Sequence, residues 1–438
     1  MTGVTADRIA VGAAGPPQVP GRQVAAAVVG NALEFYDFTT YALFAAEIGR
    51  TFFPSHTAFE SLMGSLLTFA VGFVGRPVGA VVIGRIGDRV GRKPAMLLSF
   101  ALMGLGMLGL VLIPPYAAIG PLAPVLLVLC RLVQGFALGG EVGPTTAFLI
   151  EAARPASRAL VGSWQSASQS VASLAGATAG LVLAHLMTQA QLDAYGWRIA
   201  FGLGALVLPF GLVLRRSLPE TLHRREPATK TPGPGWRAQV RPVVLGLMMI
   251  MSFTTSTYVL LYMTTYASQT LHMGPVTSFG ATVANGVCGV GFTLLGGWLA
   301  DRLGRKPVMI TGRVLFLLAT LPAFLMMTRH RDPATVIVAT AVMSALSSVS
   351  VGVALVALTE NIRKEARSMA MAVLYAVGVT VFGGVAQPAV SALVKATGDP
   401  LAPAWYLMAA ALVGIVAMAL LPETRPVPAE VEEIVELA

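Results

Sequence analysis

Asn31, Glu34 and Asp37 recur every third residue within an apolar stretch long enough to cross a bilayer. On a helix this spacing forms one polar stripe. An ionised side chain at the centre of a membrane helix costs at least about 2.5 kcal/mol. Two carboxylates on one face must therefore point into a bundle, carry protons or meet a cation. The five histidines fall in loops or near segment ends, so a proton relay would have to run on carboxylates. Arg131, near the middle of another apolar segment, cannot snorkel to either surface. Its guanidinium is always charged and offers a fork to a carboxylate, whether on Glu34, on Asp37 or on a ligand. A static ion pair is the plainer alternative.

Further candidates are scattered through other apolar segments. Arg76 either snorkels or places a second cation in a cavity, and Arg313 poses the same choice. Arg198, beside Trp197, reads as an interface anchor. Gln134 lies one turn from Arg131. Gln165 and Gln169, one turn apart in the polar run SWQSASQ, suit hydrogen bonds to ligand oxygens or to a neighbouring helix. Asn31, Tyr36, Tyr258, Tyr262 and Asn285 complete the candidate ligand contacts. Glu141 is placed to pair with the basic loop around Asp88–Arg92.

These residues need a scaffold. The chain of 438 residues is 55% hydrophobic and only 12% charged. A soluble protein carries roughly twice that charged fraction. About twelve spans of some 20 apolar residues are expected at 24–48, 60–84, 94–113, 121–143, 159–187, 197–216, 239–266, 276–300, 307–327, 333–358, 366–394 and 403–422. Residues 1–23 read as a disordered tail, 24–216 and 239–422 as two bundles, 217–238 as a linker and 423–438 as a second tail. The net charge of +9 is spread between apolar segments, which argues against nucleic acid as a partner. Lys and Arg gather after every second span, so both termini and the linker are expected in the cytoplasm. Cys130 and Cys288 fall in separate spans and read as free thiols. No Walker loop, metal-ligand cluster or nucleophile–base pair appears in any of the expected cytoplasmic loops, so neither an enzyme nor an ATPase is expected.

The halves repeat. GRIGDRVGRKP at 84–94 answers GWLADRLGRKP at 297–307, Glu151 and Arg158 answer Glu360 and Arg367, and LPET closes both halves at 218–221 and 421–424. Parallel repeats of this kind belong to one large transporter class. With the RLVQGFALGGE run, these motifs resemble the major facilitator superfamily. NALEFYDF, SWQSASQ and YGWRIAF resemble its metabolite:proton symporter branch, and the SWQSASQ run and the TGDPLAPAWYLMAAAL ending resemble its citrate and tricarballylate carriers. The resemblance implies an all-α membrane fold of twelve helices in two pseudo-symmetric six-helix bundles. It implies a bacterial inner-membrane carrier without cofactor or metal, taken as monomeric. Its ligands would be a small organic anion and protons. Glu34, Asp37 and Arg131 would couple protons. Asp88, Arg89, Arg92, Glu141, Asp301, Arg302 and Arg305 would gate the cytoplasmic side. A zwitterion such as betaine or proline, or a shikimate-like metabolite, is the alternative cargo, with efflux less expected.

Overall fold

Helix ends here are set by glycine, proline and short polar caps. Asp332 starts one helix by accepting the Thr335 N–H at 3.0 Å. Hydrogen bonds from Thr335 hold its carboxyl below the ordinary carboxylate range. Gly304, with φ of 102°, makes the tight link between two successive long helices.

A computed structural model describes residues 21–139, 142–216, 236–362 and 367–424. In chain order the first six helices are α1 (Gly21–Leu43 and Ala45–Phe52), α2 (Ala58–Arg89), α3 (Arg92–Leu112), α4 (Leu122–Leu138 and Val142–Ala152), α5 (Arg158–Leu186) and α6 (Trp197–Arg216). The second six are α7 (Trp236–Leu261), α8 (Pro275–Leu303), α9 (Arg305–His330), α10 (Pro333–Glu360), α11 (Arg367–Gly378 and Gly384–Thr397) and α12 (Ala402–Leu420). Each follows one of the twelve expected segments, and they form two six-helix bundles. Both cysteines are free.

Two expectations change. The fourth segment was expected to end at 143, but helix continues from Val142 to Ala152. The Gly-Pro-Thr sequence there looks like a turn. Its proline, however, falls in the first helical turn, where a missing N–H leaves no intrahelical bond unmade. Arg131 therefore sits in the first half of α4 rather than at its middle. Likewise α2 runs on to Arg89, which puts Arg76 thirteen residues, about 20 Å, from that helix end. Snorkelling is not its fate: Arg76 is 2% exposed.

Within the first bundle, α2 packs tightly on α4. A methyl group at Gly135 would collide with the backbone carbonyl of Gly72, and one at Gly79 with that of Phe136. These glycines let the helices approach closely and bring Arg131 against α2. Between bundles, α5 lies along α8 and α2 meets α11. α11 carries a π-helical turn at Val379–Gly383, from which the Thr380 hydroxyl donates to the Phe73 carbonyl at 2.9 Å. Such turns recur at functional sites.

One end of the molecule, where the basic motifs lie, is tied across the bundles. Asp301 at the end of α8 accepts the N–H groups of Ala159 and Leu160 in the first turn of α5, both at 2.9 Å. Arg305 donates to Glu360 at 3.1 and 3.2 Å and lies 3.3 Å from Asp301. Glu423 of the second LPET accepts the Arg305 and Lys306 N–H groups, and Thr424 donates to Glu360 at 2.6 Å. Arg302 stacks on Trp298 at 3.8 Å and takes no part in this network among the described residues. Arg89 is exposed. The side chains of Asp88 and Arg92, and all of Glu141, lie outside the described residues.

Candidate functional site

Three side chains close the first part of the site. Asp37, Arg131 and Gln134 are fully buried. Gln134 donates to Asp37 Oδ1 at 2.9 Å and accepts from Arg131 at 2.7 Å. Arg131 approaches Asp37 Oδ2 at 3.4 Å, long for a charge-assisted bond. The carboxylate is thus held more closely by the amide than by the cation. Arg131 is flanked by the rings of Phe38 and Tyr41, each centred 4.4 Å away. Its Nε and Nη2 make no hydrogen bond among the described residues. Glu34, 1% exposed, lies one turn earlier on α1.

Arg76 forms the second part. Its guanidinium lies 4.3 Å from the centres of both Phe38 and Phe73. Cation–π contacts supply about 0.5–2 kcal/mol each, less than the several kcal/mol needed to desolvate a charge. None of its three nitrogens makes a hydrogen bond of standard geometry among the described residues. The hydroxyl of Tyr258, from the other bundle, faces it, and Tyr375 lies within reach of its charge. Gln169 donates to Tyr375 across the bundles at 3.5 Å. Two glycines, one ending the π turn and one following it, make room: Gly383 lies against Tyr258 and Gly384 against Phe73.

Gln169, Tyr258 and Asn285, with hydroxyls of Thr39, Ser166 and Ser347, line a cavity of about 70 Å³ between the bundles. At roughly 30 Å³ per water it holds two or three waters. It must widen to take an organic ligand.

Other expected contacts point elsewhere. Asn31 and Gln165 bind each other: Gln165 donates to Asn31 Oδ1 at 3.1 Å, and Asn31 donates to the Gln165 carbonyl and to Ser168. Gln165 thus faces α1, not the cavity that Gln169 lines. Tyr36 donates to the Ala200 carbonyl on α6 at 2.8 Å. Tyr262 is 2% exposed beside Ser391. Arg198 bonds the carbonyls of Val111 and Ile113, as an anchor should. Arg313 is fully buried and donates to Ser256 at 2.8 Å. Sequence reasoning missed the rings of Phe38 and Phe73. The signal was present: Phe73 precedes Arg76 by one turn, and Phe38 follows Asp37.

Residues 23–231 match the family model for sugar (and other) transporters, and residues 277–436 that of the Major Facilitator Superfamily. A citrate-proton symporter of Salmonella typhi is 36% identical, with 90% of this chain and 92% of that protein covered. A citrate-proton symporter of Klebsiella pneumoniae is 33% identical, with 89% and 88% covered. A putative proline/betaine transporter of Staphylococcus aureus (strain COL) is 30% identical, with 91% and 88% covered. Among solved structures, the proton:xylose symporter bound to 6-bromo-6-deoxy-D-glucose has the same fold, with a TM-score of 0.77 at 17% identity over 92% of this chain and 96% of that one.

Proposed function

The chain belongs to the major facilitator superfamily, and on that premise we propose that it is a secondary transporter that couples proton entry to uptake of a small di- or tricarboxylate such as citrate. The observation that carries the substrate class is Arg76. A buried guanidinium with no hydrogen bond of standard geometry, facing two tyrosines across the bundle interface, is a site prepared for an anion. Arg76 would grip one carboxylate, and Gln169, Tyr258 and Asn285 would orient the rest. Asp37 would take the proton. A neutral Asp37 loses its claim on Arg131, whose free nitrogens then serve a second carboxylate. Loading of proton and anion thus favour one another, as linkage requires. Glu34 is the second proton candidate.

The end closed by Asp301 is assigned to the cytoplasm, with both termini there, in the inner membrane of a bacterium. The working unit is taken as a monomer. Asp301, Arg305 and Glu360 would latch that side while the carrier faces outward, and Asp88, Arg89, Arg92 and Glu141 are proposed for the equivalent role in the first half. A zwitterion is the second reading, because aromatic boxes also hold quaternary ammonium groups. Here, however, the box between Phe38 and Phe73 is already filled by Arg76. The deciding experiment is uptake of labelled citrate, tricarballylate, betaine and proline into proteoliposomes with an acidic exterior. Citrate or tricarballylate should accumulate. Accumulation of betaine alone would reject the anion reading.

A further inference from the structure

A second chamber shares lining helices with the central cavity, and its charges give it a separate task. Three helices line both. On α1, Phe35 and Thr39 face the cavity, while Glu47 and Arg50, two to three turns further on, face the chamber. α7 and the turn after it pass from Tyr258 to Thr265 and Ser268, and α8 from Asn285 to Ser278. Phe279, which lines the chamber, packs on Phe44 of α1, ring centres 5.0 Å apart. The chamber measures about 210 Å³, three times the cavity's 70 Å³. It lies at the end of the molecule away from the Asp301 latch.

Among the described residues its charged groups are three. Arg50 donates to Asp193 at 2.6 Å and lies 3.6 Å from Glu47. The Glu47 side chain is only 11% exposed. Arg50 and Asp193 are the charged groups that act on it; α2 meets this helix through Ser61 and Leu62 at Gly49, and α7 and α8 present hydroxyls and an amide. With both acids ionised the trio carries one net negative charge, and an anion is repelled. With Glu47 protonated the trio is neutral, and Glu47 becomes a donor beside Arg50. The Thr265 hydroxyl, on a residue 1% exposed, has no hydrogen-bond partner among the described residues.

We propose that this chamber is an outer docking site for the incoming carboxylate, and that it accepts the anion only when Glu47 is protonated. The inference rests on the carboxylate reading above and adds an entry step to it: a proton is required at the mouth before the anion moves on to the central cavity. Arg50 supplies the charge, and Thr265 and protonated Glu47 supply donors.

The test is the KM for labelled citrate in proteoliposomes, measured at pH 6 and pH 8 with equal pH on both sides. If only the protonated chamber accepts substrate, apparent affinity falls in proportion to that fraction. Glu47→Gln should therefore lower the KM at pH 8 relative to wild type, a gain that a misfolded variant cannot produce. Arg50→Gln should raise the KM at both pH values. An unchanged pH profile in Glu47→Gln, with normal wild-type uptake, overturns the docking site alone. Absence of citrate uptake by the wild type at either pH overturns the carboxylate reading itself.

Discussion

Replacing Arg76 by methionine should weaken substrate binding and strengthen the empty protein at once. Two charge-assisted bonds to a carboxylate, at about 1.5–3 kcal/mol each, would be lost. A net loss of about 3 kcal/mol corresponds to a hundredfold or more in Kd. In the empty protein the guanidinium is buried without a standard hydrogen bond among the described residues. It is supported by Phe38 and Phe73, each 4.3 Å away. Those contacts offset only part of its desolvation, so an apolar side chain of similar length should stabilise the fold by about 1–3 kcal/mol. Both quantities come from one thermal-unfolding titration with citrate. The wild type should show the lower midpoint without ligand and the larger rise with it. A variant that unfolds at a lower temperature and still shows the full citrate-dependent rise would refute the role given to Arg76.

Other substitutions separate coupling, packing and latch. Asp37→Asn should abolish citrate accumulation driven by a pH gradient while leaving citrate exchange measurable; equal loss of both would assign Asp37 a structural role. Asn31→Ala removes two donated hydrogen bonds and strands Gln165, so it should cost about 1–3 kcal/mol of stability with citrate affinity unchanged, as read by unfolding and binding. Asp301→Asn weakens the cap on α5, worth about 0.5–2 kcal/mol. It should make a cysteine placed in the cavity more reactive to a thiol reagent applied from the cytoplasmic side, and unchanged reactivity would remove Asp301 from the latch.

Apolar length alone made all twelve helices readable in the sequence. The duplicated basic loops, likewise, announced two bundles. Arg131 as a cation for the polar stripe was also legible, because a buried arginine and a buried carboxylate have few other ways to coexist; that it meets Asp37 rather than Glu34 was not. What escaped depended on rotation about helix axes. Gln165 and Gln169 are one turn apart in sequence, yet one faces α1 and the other the cavity. Tyr36 sits between the carboxylates and still turns outward to α6. The ring pair around Arg76 joins α1 to α2, a contact that no spacing within one segment encodes. The interior extent of α4 was hidden by a Gly-Pro pair that reads as a turn but starts a helical turn.

The central claim is that proton and carboxylate enter together. It is tested most directly by trapping a pH-sensitive dye inside proteoliposomes and adding citrate outside at equal internal and external pH, with the membrane potential clamped. Coupled entry predicts immediate internal acidification that requires citrate, saturates with it and is lost in Asp37→Asn. Citrate entry, followed by label in the same vesicles, without any dye response beyond that of the Asp37→Asn variant would contradict it.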